Sequence, residues 1–202
     1  MDEKQILSIY LPDDAVDLVF SWIKNNNVHL KISKNRKSKL GDYRPPIHHP
    51  NHRISINHDL NPYTFLITFV HEYAHLLVFE KYKQRVLPHG FEWKSIYKTL
   101  MEEVINKDMF PEDIAQELGK SIQNSKASST SDLNLSRVLR KYDKSVDQLK
   151  VEDLPFDAIF KTNTGRKFKK GEKRRIRYKC ISIDNGRLYL FHPLTPVVLV
   201  LE

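Results

Sequence analysis

A chain of 202 residues can bury one good core, or one core and a small satellite. Its longest apolar stretches, around Phe65 to Val70 and Val197 to Leu201, fall far short of the roughly 20 residues that span a bilayer. Cys180 is the only cysteine, which excludes an intrachain disulfide and any cysteine-based structural zinc site completed within the chain. The formal charge of +8 is carried by one end: residues 1–120 set 16 basic against 16 acidic side chains, and residues 121–202 set 17 against 9.

In chain order, the opening Met1-Asp2-Glu3-Lys4 lacks the basic-then-apolar order of a secretory signal, so a cytoplasmic protein is expected. Leu11-Pro12-Asp13-Asp14 followed by Ala15, Val16, Val19, Phe20 and Ile23 predicts a capped amphipathic helix ending at Asn25-Asn26-Asn27. Val28, Leu30 and Ile32 alternate with polar residues, as do Ile54 and Ile56, predicting two strands separated by a basic loop. The second of these, Arg53 to Asn57, is expected as an edge strand open to an extended peptide.

Asn61-Pro62 is a strong helix start, because Asn caps free amides and Pro is pre-shaped for the first helical position. The helix is expected to run to Tyr82, apolar nearly all round and therefore part of the core. Another opens near His89-Gly90 and continues through Trp93, Tyr97, Leu100, Met101 and Val104, and a short fourth follows Pro111. Ser121 to Ser131 has little to bury and reads as linker. Beyond it, Phe156 to Leu201 reads as a β module, with Asp184-Asn185-Gly186 turning a hairpin between Tyr178–Ile183 and Arg187–Phe191. The expected organisation is α+β, with a domain over 1–120, a linker over 121–140 and a basic β-rich module over 141–202.

Two histidines and a glutamate inside a core helix require an explanation. His71-Glu72-Tyr73-Ala74-His75 puts two imidazoles at i and i+4, one turn apart on the same face, where they can share a tetrahedral ion. His89, after a loop and just before Gly90, supplies a third ligand. Glu72 leans toward the ion's open side, where it can take a proton from a metal-activated water as general base. This reading predicts one catalytic Zn2+ on His71, His75 and His89. Glu92 is a candidate partner for an imidazole, and Tyr73 and Tyr97 are candidates by chemistry for stabilising an oxyanion. His48, His49, His52 and His58 fit no zinc template and read as loop histidines.

At these residues the sequence resembles the SprT-like family of zinc metalloproteases, whose eukaryotic member is Spartan. The resemblance rests on His71-Glu72-Tyr73-Ala74-His75, on His89-Gly90-Phe91-Glu92-Trp93, and on Arg53-Ile54-Ser55-Ile56-Asn57 with Leu60-Asn61-Pro62, and covers about the first 110 residues. It implies a minimal gluzincin-like fold, the same three ligands, and Glu72 as catalytic base. It also implies a protein substrate associated with or crosslinked to DNA, and stimulation by nucleic acid. Many bacterial relatives carry a ribbon with two cysteine pairs; here Tyr178-Lys179-Cys180 resembles its remnant, and the partner cysteines are absent.

Lys161 to Lys179 carries ten basic residues against Glu172 alone. Arg166, Lys167, Lys169, Lys170, Lys173, Arg174, Arg175 and Arg177 are the expected contacts to DNA phosphates, with Phe168, Tyr178 and Tyr189 as stacking surfaces for unpaired bases. The expectation is therefore a zinc endopeptidase acting on DNA-associated proteins, located in the cytoplasm and associated with the nucleoid. Its rivals are a zinc hydrolase unconnected to nucleic acid, and a DNA-binding module whose zinc is structural. Glu72 argues against the last, because a purely structural site has no use for a glutamate beside its ligands.

Overall fold

The computed structural model describes residues 2–36, 38–47, 49–83, 85–123, 132–144 and 148–200. The chain divides into two compact units, Met1–Lys144 and Ser145–Glu202. Among the described residues no helix is long and apolar enough to cross a membrane.

The first unit opens with a short helix α1 (Glu3–Leu7), then a 3-10 turn that leads into α2 (Val16–Asn25). Strands β1 (Val28–Ser33), β2 (Gly41–Arg44) and β3 (His52–Asn57) form a sheet in the order β1-β3-β2. β1 runs parallel to β3 and β2 antiparallel to it. The Arg53–Asn57 strand is therefore central, which corrects its expected edge position. The strand that covers its second edge, β2, lies within the basic loop and has no pattern of its own in the sequence. Val28, Ile54 and Ile56 are buried on one face, while His29 and Lys31 are exposed.

Helix α3 (Pro62–Tyr82) begins as the sequence requires: the Asn61 side chain accepts from the Thr64 amide at 2.9 Å and Pro62 occupies the first turn. Phe65, Leu66, Phe69, Val70, Ala74 and Leu76 are all fully buried, so α3 is the axis of the core. Trp22 of α2 stacks on Tyr73 at a centroid separation of 4.8 Å and lies 6.5 Å from Phe69. Each such ring stabilises the fold by roughly 1.5–3 kcal/mol through burial. α4 (Phe91–Asn106) and α5 (Glu112–Gln123) follow.

The expected linker over 121–140 is contradicted at both ends. α5 extends to Gln123, and α6 (Leu133–Arg140), capped by Asp132, buries Leu135 and Leu139 in the first core. Asn61 ties this helix to α3 by donating to the Leu139 carbonyl at 2.9 Å and to Asp143 at 2.6 Å. The first unit thus ends at Lys144 instead of 120. The stretch 124–131 of the expected linker lies outside the described residues.

The second unit is a five-stranded antiparallel sheet in the order β7-β6-β5-β4-β8. Its strands are β4 (Ile159–Lys161), β5 (Lys167–Arg174), β6 (Arg177–Ser182), β7 (Leu188–Phe191) and β8 (Val198–Leu199). Val151, Leu154, Phe160, Phe168, Cys180 and Val197 form its own core. Cys180 is fully buried there as a small apolar side chain.

Candidate metal centre

α3 carries His71 and His75 one turn apart, and the loop before α4 brings His89 across to them. His89 adopts a left-handed backbone, φ 56°, which few non-glycine residues tolerate without compensation. Its Nε2 lies 3.0 Å from His71 Nε2 and 3.0 Å from His75 Nε2. One ring nitrogen is either a donor or an acceptor, so these contacts cannot both be good hydrogen bonds. A single cation resolves the conflict: two ligands at about 2.05 Å in tetrahedral array stand about 3.3 Å apart. Among the described residues this trio is the one group of three or more metal-binding side chains whose ligand atoms lie within 4.8 Å of one another.

The protonation states suit that role. Burial, then the neighbouring imidazoles, pushes His71 down to about 3; burial and His89 push His75 down to about 4. His89 is lowered by burial and by Lys94. At neutral pH all three present lone pairs, as a divalent ion demands.

Trp93 is 1 % exposed and its ring centroid lies 4.6 Å from His89, 4.7 Å from His71 and 5.3 Å from His75. Tyr97 stacks on it at 4.7 Å, and the Tyr97 ring also meets the edge of His71 at 5.9 Å. One indole therefore walls the whole trio. The sequence indicated Trp93 as a helix-core position; its contact with all three rings depends on the loop conformation.

Glu72 is buried against β2. The Tyr43 backbone N–H donates to its carboxylate, and Gly41 packs on its side chain. Burial and the charge of Asp42 push the Glu72 carboxyl up to about 7, against the pull of the Tyr43 amide, Arg36 and Lys39. Asp42 supplies that charge because hydrogen bonds from Lys39 and Arg44 overcome its own partial burial and hold it below its ordinary value. A carboxyl poised near neutrality beside a histidine trio is equipped to accept and return a proton.

Other candidates are placed elsewhere. Tyr73 points to α2, its hydroxyl accepting from Asn26 at 2.8 Å, because residue 73 falls on the opposite side of the helix from residue 71. Tyr97 is buried against Trp93 and the His71 ring. No hydrogen bond joins Glu92 to an imidazole among the described residues. His52 is buried, bonding Tyr43 Oη at 2.9 Å and facing Glu80 at 3.3 Å. His48 lies outside the described residues.

Of the eight expected phosphate contacts, Lys173, Arg174, Arg175 and Arg177 gather at the exposed tip of the β5–β6 hairpin, around exposed Ile176. Lys167 and Lys169 lie exposed along β5, the latter 3.1 Å from Asp157. Arg166 sits over the Phe168 and Tyr189 rings at 5.1 and 4.9 Å and donates to the Tyr189 hydroxyl at 2.9 Å. Lys170 is a correction: it is buried and its ammonium donates to the Glu152 and Leu154 carbonyls. Lys170 shares the inward face with Phe168, two residues before it. Phe168 is likewise core, not a stacking surface.

A core helix bearing two imidazoles, a third from the following loop and a buried carboxyl alongside define a domain of metalloprotease type. The chain belongs to the SprT-like family, whose model matches residues 11–116. Comparison with curated proteins and with solved structures returned no match.

Proposed function

We propose that the chain is a zinc-dependent endopeptidase with a minimal gluzincin-like domain, acting on proteins bound to or crosslinked with DNA. The observation that carries this reading is the convergence of His71, His75 and His89 beside the buried Glu72. The imidazoles would hold the ion, which when bound supplies Lewis acidity toward water and the scissile carbonyl. Glu72 takes a proton on its carboxylate as the nucleophile attacks and returns it to the leaving amine. β2 fixes where that carboxylate stands, through the Tyr43 amide and the space at Gly41. Trp93 and Tyr97 keep water from the outer side of the rings.

The DNA link rests on charge: the hairpin tip bears four cations, and the second unit sets 12 basic against 7 acidic side chains, +5 of the chain's +8. Such a surface gives sequence-independent, salt-sensitive binding.

The test compares wild type with Glu72→Gln on a DNA-bound basic protein, with and without single-stranded DNA. Both proteins are expected to take up one zinc equivalent, and the variant to lose about 10²–10⁴-fold in cleavage rate. Equal cleavage by the variant rules out the assigned role.

A further inference from the structure

The outer face of the β1-β3-β2 sheet is cationic, and the metal centre does not use it. Strand register sets His29, Arg53 and Arg44 side by side across the three strands, with Lys31 and Ser55 in the next row. Together they line an open trough of about 430 Å³. Its one acid, Asp42, is already engaged by Lys39 at 2.7 Å and Arg44 at 2.9 Å. Arg36 closes one end and is spent on the fold, bonding Asn57, Ser55 and the Leu40 carbonyl.

Arg53 differs from Arg36. Its Nε is buried and has no hydrogen-bond partner among the described residues. A guanidinium nitrogen removed from water without an acceptor marks a place where one belongs. Lys31 is exposed and also lacks an ion-pair partner among the described residues. The donors on offer are a guanidinium fork, an ammonium, an imidazole and a serine hydroxyl, a set suited to tetrahedral oxyanions.

We infer that this trough binds the phosphodiester backbone of a nucleic-acid strand, with Arg53 on its floor and Lys31 and Arg44 at its sides. None of the exposed large apolar side chains lies in the lining, so the trough has nothing to insert into a bilayer. It equally lacks the apolar centre of a protein interface. The site lies within the first unit and stands whether or not the chain is a protease.

The experiment is fluorescence anisotropy of a labelled single-stranded oligonucleotide with the full chain, over a range of salt. The hairpin is first neutralised by Lys173→Gln, Arg174→Gln and Arg175→Gln, so that the remaining binding reports other surfaces. On that background, Lys31→Gln with Arg44→Gln is expected to weaken binding at least tenfold. The plot of log affinity against log salt should become shallower by about 1.4, at ~0.7 per lost phosphate contact. Arg53→Gln alone should weaken binding, with thermal melting as the check on folding. Because Lys31 and Arg44 are exposed, the first pair tests the trough even if Arg53→Gln fails to fold. Unchanged affinity and slope in the pair, or no binding at all on the neutralised background, would overturn the assignment. So would tighter Lys31-dependent binding of phosphatidylserine vesicles or polyglutamate than of the oligonucleotide.

Discussion

Gly41 lies so close to Glu72 that a Cβ placed on it would stand 2.5 Å from Glu72 Oε1 and 2.7 Å from its Cγ. The glycine is therefore a matter of space: β2 approaches α3 closely where the candidate base emerges. Gly41→Ala should displace the carboxylate and also press on Thr68 Cγ2, 2.8 Å away. We expect cleavage to fall about 100-fold with zinc content unchanged, and stability to drop by about 1–3 kcal/mol. In a chain already carrying Glu72→Gln, the added Gly41→Ala should cost no further activity. Additive losses in the double variant would show that Gly41 acts elsewhere.

Glu72 also gives a pH prediction for the metal-free protein. Its carboxyl is near 4.5 when unfolded and about 7 when folded. Between these values the folded chain holds a proton that the unfolded chain has released, so stability contributed by this group falls as pH rises. The penalty above pH 7 is on the order of 3 kcal/mol. Glu72→Gln should therefore raise the melting temperature of stripped protein at pH 8, with the gap closing toward pH 4.5. His71 and His75 work in the opposite direction, favouring unfolding as pH falls below 6.5, but equally in both chains. A gap that is constant with pH would exclude the buried, proton-holding carboxyl.

Trp93 offers a separate test of what holds the imidazoles. Its Nε1 has no partner among the described residues, so Trp93→Phe forfeits no hydrogen bond and keeps an aromatic wall. Trp93→Ala removes the contact with all three rings and opens a cavity, costing about 3–5 kcal/mol. Zinc affinity, read by competition with a chromophoric chelator, should fall about 10–100-fold for Ala. For Phe it should change little. Equal losses would mean that the indole N–H, not the ring face, is what matters.

The legible parts of this protein are those whose cause is local. Asn61-Pro62, the apolar content of α3 and the i, i+4 histidines place two of the three ligands without any tertiary information, and His89-Gly90 marks the third. β2 was not legible, because four residues in a basic loop become a strand only by pairing with β3 and packing on Glu72. α6 escaped for a similar reason: Leu135 and Leu139 are buried in the first core, and its last turn is held by Asn61, far away in sequence. Lys170 was concealed by its own neighbours. With Lys167, Lys169 and Lys170 crowded around Phe168, the two-residue alternation of a strand is hard to see by charge alone, and which lysine turns inward is decided by sharing the face of Phe168.

That inward lysine separates charge from structure in the second unit. Lys170 donates to the Glu152 and Leu154 carbonyls and lies 4.4 Å from the centre of the Tyr178 ring, and burial lowers its pKa. Lys170→Ala leaves two carbonyls without their donor and should cost about 1–3 kcal/mol in the stability of this unit. It should leave the salt dependence of DNA binding untouched. Replacing Lys173, Arg174 and Arg175 with Gln should do the reverse: melting hardly moves, and the dependence of log affinity on log salt for single strands becomes shallower by up to about 2. If Lys170→Ala, still folded, flattened the salt dependence as strongly as the hairpin variant, the inward position of its ammonium would be wrong.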